Sequence, residues 1–274
     1  MKRLILVVLL LLTACGRDSG NPWLGYVEGE DALISPPQPG WITHLAVQRG
    51  QWVNRGDLLF TLDDIHETAA RNQALANLNA MKAQLEQELA NSDYTHMELR
   101  RQTGLAQAKA GTPTNYDAAL LGARQSERRI PQLEAQIKQM EGALADAEYQ
   151  LSQRRVVAYT SGRVEDLYFR EGEYATASAP VVEILPPGNI YVRFFIPETQ
   201  LQTVKLGQKV RISCDSCKPF DATVTFIAQQ EEFTAPDIFS VGNREKLVFK
   251  SEARVQGGMK LNPGQPVEVR LVAP

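Results

Sequence analysis

Two stretches of this chain carry the same pattern of apolar and polar positions, offset by 122 residues without a gap. The first runs from Gly40 through Ile42, Leu45, Val47 and Gly50 and closes on Leu59, Phe60 and Leu62. The second runs from Gly162 through Val164, Leu167, Phe169 and Gly172 and closes on Val181, Val182 and Ile184. Each reads as a set of short β-runs that cannot enclose a core alone, so the halves are expected to pair into one small sheet domain. The sequence between them must then leave that domain and return to it.

The intervening sequence has a helical period. From Asp63-Asp64 to about Ala110 there is no proline, and Leu75, Leu78, Leu85 and Leu89 fall at near-heptad spacing, interrupted by Lys82. The paired acids suit a helix start, where the amide dipoles favour negative charge. On the return, Ile130, Leu133, Ile137, Met140, Leu144, Ala147 and Leu151 alternate steps of three and four, which is a coiled-coil seam. Between the two, Gly111-Thr112-Pro113 supplies a helix-ending glycine, an N-cap and a proline at the first helical position. Two helices of roughly 40–46 residues at ~1.5 Å per residue give a hairpin roughly 60–70 Å long. Folding about residue 111 sets Leu85 near Ile137 and Leu89 near Leu133. Toward the tip the inward positions become His96, Leu99, Ala106, Ala119, Ala123 and Ser126, a seam that thins to small and polar residues. Pro131 lacks an amide donor and is expected to kink the second helix.

After Asn189 the pattern turns to β again. Residues 190–196, 210–213, 220–228, 246–255 and 267–272 read as strands, with Leu206-Gly207-Gln208 and Pro263-Gly264-Gln265 as turns and a short helix over 197–204. Strands with regular turns suggest a small barrel, and the segment 23–34 is expected to add a strand to it.

Composition narrows the picture from outside. At 274 residues and 43% hydrophobic content, more than one domain with a real core is expected. The charge of −3, with basic and acidic residues interleaved on the helices, gives no basic face for nucleic acid. At the N-terminus Lys2 and Arg3 precede the apolar run Leu4 to Leu12, too short to span a bilayer, and then Thr13-Ala14-Cys15: a secretory signal over 1–14. Leu12-Thr13-Ala14-Cys15 resembles the bacterial lipobox, which implies cleavage before Cys15 and its acylation, hence attachment to a lipid bilayer. Gly16 leaves the choice of membrane open, since an Asp there is the inner-membrane retention mark. Cys214 and Cys217 cannot complete a tetrahedral zinc site, and His44, His66 and His96 lie far upstream. Neutral thiols, a small loop-closing disulfide, and redox or metal chemistry are the open readings for this pair.

The whole mature chain resembles the HlyD-type periplasmic adaptors, the membrane fusion protein family. The resemblance implies a mixed all-β and coiled-coil fold. A split lipoyl/biotinyl-like β-domain (halves 34–62 and 156–187) would carry an inserted antiparallel α-helical hairpin (63–155, tip near 105–117). A small β-barrel (188–274) would follow, with 15–33 as anchor linker and barrel-associated strand. Tripartite efflux adaptors carry Arg, Leu four residues on and Ser seven further on at the tip that meets a TolC-type outer-membrane channel. Arg101, Leu105 and Thr112 hold that spacing here, with Thr for Ser, and Asp117 follows at the usual distance. Thr112 is equally explained as a helix cap.

The resemblance further implies a homo-hexameric ring between an inner-membrane transporter and the channel, in the periplasm. Adaptors of resistance–nodulation–division (RND) pumps usually add a fourth domain after the barrel; a chain ending at Pro274 has no room for one, so an ABC-type transporter is expected ahead of an RND pump. No cofactor and no enzymatic activity are expected: there is no phosphate loop, no metal-spaced His pair and no nucleophile elbow. A biotin or lipoyl carrier lacks its lysine, because Lys82 lies in a helix, Lys260 lies in the barrel, and Thr61 to Asp64 has none. The other rival is a lipid-anchored coiled-coil spacer, which predicts the same hairpin but gives its tip no task.

Overall fold

The computed structural model describes residues 22–215, 217–230, 232–233 and 247–272; the expected signal segment 1–14 and Cys15 lie outside the described residues. The two half-motifs build two four-stranded sheets that share one core. One sheet has the order β2 (Ala32–Ile34), β9 (Val182–Leu185), β7 (Gly162–Leu167), β4 (Trp52–Val53). The other has β6 (Arg155–Val157), β5 (Leu58–Leu62), β3 (Gly40–Leu45), β8 (Tyr174–Ala175). Ile42, Leu59, Phe60, Leu62, Val164, Val181, Val182 and Ile184, all named by the repeat, are buried in their shared core.

The pairing repeats with the sequence offset. Gly40 faces Ala175 and Gly162 faces Val53; Ile42 faces Leu62 and Val164 faces Ile184. The Gly172 amide donates to the Ile42 carbonyl, and the Gly50 amide to the Val164 carbonyl, each at 2.8 Å. Each half therefore completes the other about a pseudo-two-fold axis. The repeat glycines follow from this geometry. Gly50 and Gly172 sit at φ 80° and 85°, where a side chain is strained, and a Cβ on Gly162 would lie 2.5 Å from the Leu185 carbonyl oxygen.

The axis also explains where the other parts attach. The chain leaves β5 for the hairpin and returns into β6; at the equivalent positions it leaves β9 for the barrel and enters β2 from the barrel. β1 (Trp23–Gly29), β10 (Ile190–Pro197), β11 (Lys209–Cys214), β12 (Cys217–Ile227), β14 (Leu247–Arg254) and β15 (Pro266–Leu271) form the closed circuit β10-β1-β15-β11-β12-β14, with β10 pairing back to β14. A two-residue strand, β13 (Glu232–Phe233), pairs with β14. Val27, Val192, Phe194, Ile196, Val210, Ile212 and Val269 fill the barrel, with Trp23 stacked on Phe194 at 5.7 Å. The segment 23–34 is thus divided: its first part joins the barrel, and residues 32–34 join the sandwich instead. A 3-10 turn at Glu198–Thr203 stands where a short helix was expected.

The hairpin consists of α1 (Ile65–Gln107) and α2 (Pro113–Ser152), 43 and 40 residues, or about 65 and 60 Å long. In α2 the expected seam holds from Ile130 to Leu151, each member buried or half-buried, and continues toward the tip through Ser126, Ala123, Ala119 and Tyr116. In α1 the seam differs from expectation. Steps of three and four from Leu78 lead through Met81 and Leu85 to Glu88 and Ser92, so Leu89 is 44% exposed and does not face Leu133. Glu88 takes that inward place because Arg129 of α2 reaches it at 3.5 Å. His96 is half-buried and lies 3.0 Å from the Glu127 carboxylate, and Thr95 bonds to Ser126 at 3.0 Å, so polar pairs hold the distal seam together. Ala106, expected inward, is exposed.

The chain passes between barrel and sandwich at residues 29–32 and 185–190, where the Glu30 amide donates to the Asn189 carbonyl and the Asn189 side chain donates back to Glu30. Asp31 keeps a face to solvent, yet partial burial, together with the Glu183 carboxylate it bonds to and the more distant Glu165, pushes its carboxyl up to about 6. A raised acid is favoured while protonated, so this contribution is full below the ordinary carboxylate range and is lost as pH rises through 6. Asp31→Asn is expected to melt progressively higher than the parent as pH rises from 4 to 7.5, with the two close together at pH 4. A gap independent of pH in paired thermal melts would remove Asp31 as the titrating group.

Candidate functional site: the hairpin tip

α1 ends at Gln107, four residues before Gly111, and the left-handed residue is Lys109 at φ 56° rather than a glycine. The carbonyl of Leu105 takes both the Ala110 amide (2.9 Å) and the Gly111 amide (3.1 Å), which closes the turn. Gly111 is needed for closeness instead: a Cβ there would lie 3.2 Å from the Leu105 Cβ. Thr112 caps α2, its hydroxyl accepting from the Asn115 amide at 3.3 Å, with Pro113 at the first position. The turn is therefore defined by contacts between Leu105 and the residues that lead into Thr112.

Arg101 and Leu105 stand one turn apart on α1, a spacing that places them on one helix face. The Arg101 side chain is 67% exposed and pairs with Glu98 at 2.7 Å. Hydrogen bonds from Arg101 and Gln102 hold the Glu98 carboxyl below the ordinary carboxylate range. Leu105 is 39% exposed, an apolar side chain without a core to fill. The structure thus brings Arg101, Leu105 and Thr112 to one end of the hairpin, two of them presenting side chains outward and the third serving as a cap. Sequence reading did not single out Glu98 as the partner of Arg101, although an acid three residues before an arginine on a helix is a readable pair. It also missed a groove of about 340 Å³ on the hairpin flank, between Tyr94, Glu98 and Gln102 on α1 and Asn115, Ala119 and Gly122 on α2. The small residues at 118, 119 and 122 were its only signal.

Cys214 and Cys217 are joined as a disulfide across the β11–β12 turn, Cα to Cα 5.3 Å. Among the described residues no cluster of His, Cys, Asp and Glu has the makings of a metal site, and no helix is long and apolar enough to cross a membrane.

No family model matches the chain. It is 30% identical over 195 residues to the uncharacterized protein YdhJ of Escherichia coli K12, covering 70% of this chain and 63% of that protein, so it spans somewhat less than two thirds of this relative. A UPF0194 membrane protein of Yersinia enterocolitica is 24% identical with all of both chains aligned. Among solved structures, MacA of Actinobacillus actinomycetemcomitans superposes with a TM-score of 0.69 at 20% identity, over 92% of this chain and 78% of that one. The membrane fusion protein Spr0693 of Streptococcus pneumoniae R6 gives 0.57 at 14% identity, over 93% and 100%. The chain has the fold of the membrane fusion proteins. The periplasmic adaptor protein EmrA shares it, with a TM-score of 0.50 at 16% identity over 92% of this chain and 98% of that one. Within the membrane fusion protein fold, the barrel and the hairpin are the parts that the sandwich holds apart, and the tip is the part of the hairpin furthest from it.

Proposed function

We propose that the protein is a periplasmic adaptor that links an inner-membrane transporter, of the ABC class in our reading, to a TolC-type outer-membrane channel. The sandwich is a split lipoyl-like domain. About six copies surround the export path, each anchored to the inner membrane through an acylated Cys15. The observation that carries this reading is a hairpin about 60 Å long whose far end exposes Arg101 and Leu105. Arg101 offers charge-assisted bonds to carbonyls or carboxylates on the channel's helices, and Leu105 offers an apolar knob to their grooves. The adaptor performs no chemistry: it spans a distance and closes a seal, and the transporter supplies the energy.

The test is in-cell crosslinking from a photoreactive residue at position 105, with the captured partner identified by mass spectrometry. Capture of an outer-membrane channel is expected. Arg101→Glu should reduce it at least several-fold without moving the melting temperature, since an exposed substitution is worth within about 0.5 kcal/mol. A properly exported protein that captures nothing, or only other copies of itself, belongs to the spacer class.

A further inference from the structure

Where the sandwich meets the barrel, one row of side chains crosses the outer face of the sheet β9-β7-β4. Leu185, Arg163 and Trp52 are direct cross-strand neighbours, Arg163 facing Leu185 on one side and Trp52 on the other. Directly opposed residues of antiparallel strands point to the same side. Over this row lies the connection between β14 and β15, residues 255–265. It is fixed in place by Met259, whose amide donates to the Pro187 carbonyl at 3.2 Å, and by Gly258 at φ 86°, where a Cβ would lie 2.5 Å from that carbonyl oxygen. The result is a groove of about 380 Å³ lined from both domains, within the range of small-molecule sites.

Its chemistry is two-sided. Leu185, Ile190, Met259 and Leu261 make an apolar floor, and Trp52 forms a wall although 52% of it is exposed to water. Tryptophan is the side chain with most to gain from a stacked apolar partner. The polar lining residues are Arg163, Lys260 and Asn262, and no carboxylate among the described residues lines the groove. Arg163 is partly engaged: its Nε donates to Glu165 at 2.8 Å and its Nη1 to the Asn262 carboxamide at 3.5 Å, leaving the outer edge of the fork unused. Lys260 is exposed and makes no ion pair with any described residue. Glu165 offsets Arg163 from outside the groove, with Glu183 and Asp31 beyond it, so the lining charge without a carboxylate partner among the described residues is that of Lys260.

We infer that this junction groove binds a small amphipathic anion, with its apolar body between Trp52 and the Met259–Leu261 segment and its single acidic group held by Lys260 and the free edge of Arg163. An occupant would contact both domains at once and so bias the angle between them. This holds whether or not the hairpin tip meets a channel.

The probe is 1-naphthalenesulfonate, titrated calorimetrically into the intact purified protein, with 1-naphthylmethylammonium as the same shape of opposite charge. One saturable site is expected for the anion, with the cation at least tenfold weaker. Lys260→Glu and, separately, Trp52→Ala should each weaken the anion about tenfold while leaving the far-ultraviolet circular dichroism unchanged. Both are exposed positions, so loss of fold is not the confounding result. The shared chemistry occurs in water-soluble organic acids and in acidic lipids. Displacement of the probe by monomeric octanoate but not by phosphatidylglycerol vesicles would assign the former, and displacement by the vesicles the latter. Equal binding of anion and cation, indifference to both substitutions, or displacement by neither competitor would overturn the assignment.

Discussion

Deleting residues 81–87 together with 135–141 is expected to leave the protein folded and to abolish capture of the outer-membrane channel from position 105. The two segments lie opposite each other, as the pairing of Lys82 with Glu141 at 3.8 Å shows, and each is one heptad long. Removal keeps both seams in phase. In α1, Leu78 is followed by Glu88 at the spacing Met81 had; in α2, Leu133 is followed by Leu144 at the spacing Ile137 had. The inward pairs lost are Met81 and Leu85 with Ile137 and Met140, while Leu78 and Leu133, the two buried leucines of the hairpin, stay. The remaining helices are 36 and 33 residues, ample for a packed hairpin, and the tip moves about 10 Å toward the sandwich. A seal that depends on reach cannot absorb that distance, whereas a spacer without a partner at the tip has nothing to lose. The measurement is crosslinking yield beside the thermal melt of the same variant. Undiminished capture would sink the conduit reading, and a collapsed melt would show that the hairpin is less modular than its seam implies.

The hairpin and barrel were legible because their signals are periodic and long. Seven residues of α2 from Ile130 to Leu151 alternate without error, and a seam of that length leaves helical phase no freedom. α1 was read less well for a physical reason: its leucines do not all face inward. Leu89 is exposed because Glu88, neutralised by Arg129, takes the inward place, and an ion pair across two helices cannot be seen from either helix alone. The repeat at offset 122 pointed to one domain built from two halves, and the structure adds that β3, β5, β7 and β9 are related by a pseudo-two-fold axis. Of the flanking strands, β2 fell within a segment expected to join the barrel, and β6 was not singled out. At three residues each they carry no period, and only the dyad shows that they are equivalent. The turn at the tip was mistaken in its details, because an expected glycine end hid the fact that Lys109 adopts the left-handed conformation. Position and capping role of Thr112 were readable; the packing of Gly111 on Leu105 was not, since contact between a helix and its own following turn depends on where the helix stops.

Arg154→Ala is expected to be the most damaging single substitution at the base of the hairpin. Arg154 leaves α2 just as the chain re-enters the sandwich, and its two terminal nitrogens have different tasks. One is bonded to the Glu67 carboxylate in the first turn of α1, and the other donates to the Pro39 carbonyl at 2.9 Å, beside β3. One side chain thus ties both helices to the sandwich, with Gly40 leaving the room: a Cβ there would lie 2.9 Å from Nη1. The side chains of Arg154 and Glu67 are only 14% and 10% exposed. Truncating Arg154 strands the Glu67 carboxylate in a nearly dry site, which costs about 3–5 kcal/mol for a buried pair broken on one side. Removing both charges with Arg154→Met and Glu67→Leu should be far milder, because no ion is left unpaired and the volume is kept. Chemical denaturation of the parent, the single and the double variant gives the comparison, and hydrogen exchange across 65–70 and 147–153 localises it. If the single variant loses less than about 1 kcal/mol, or the double loses as much as the single, the joint is held by the backbone bonds from Leu62 to Arg154 and from Asp63 to Trp41 instead. The hairpin would then be hinged on its strands, and its direction set by whatever holds the tip.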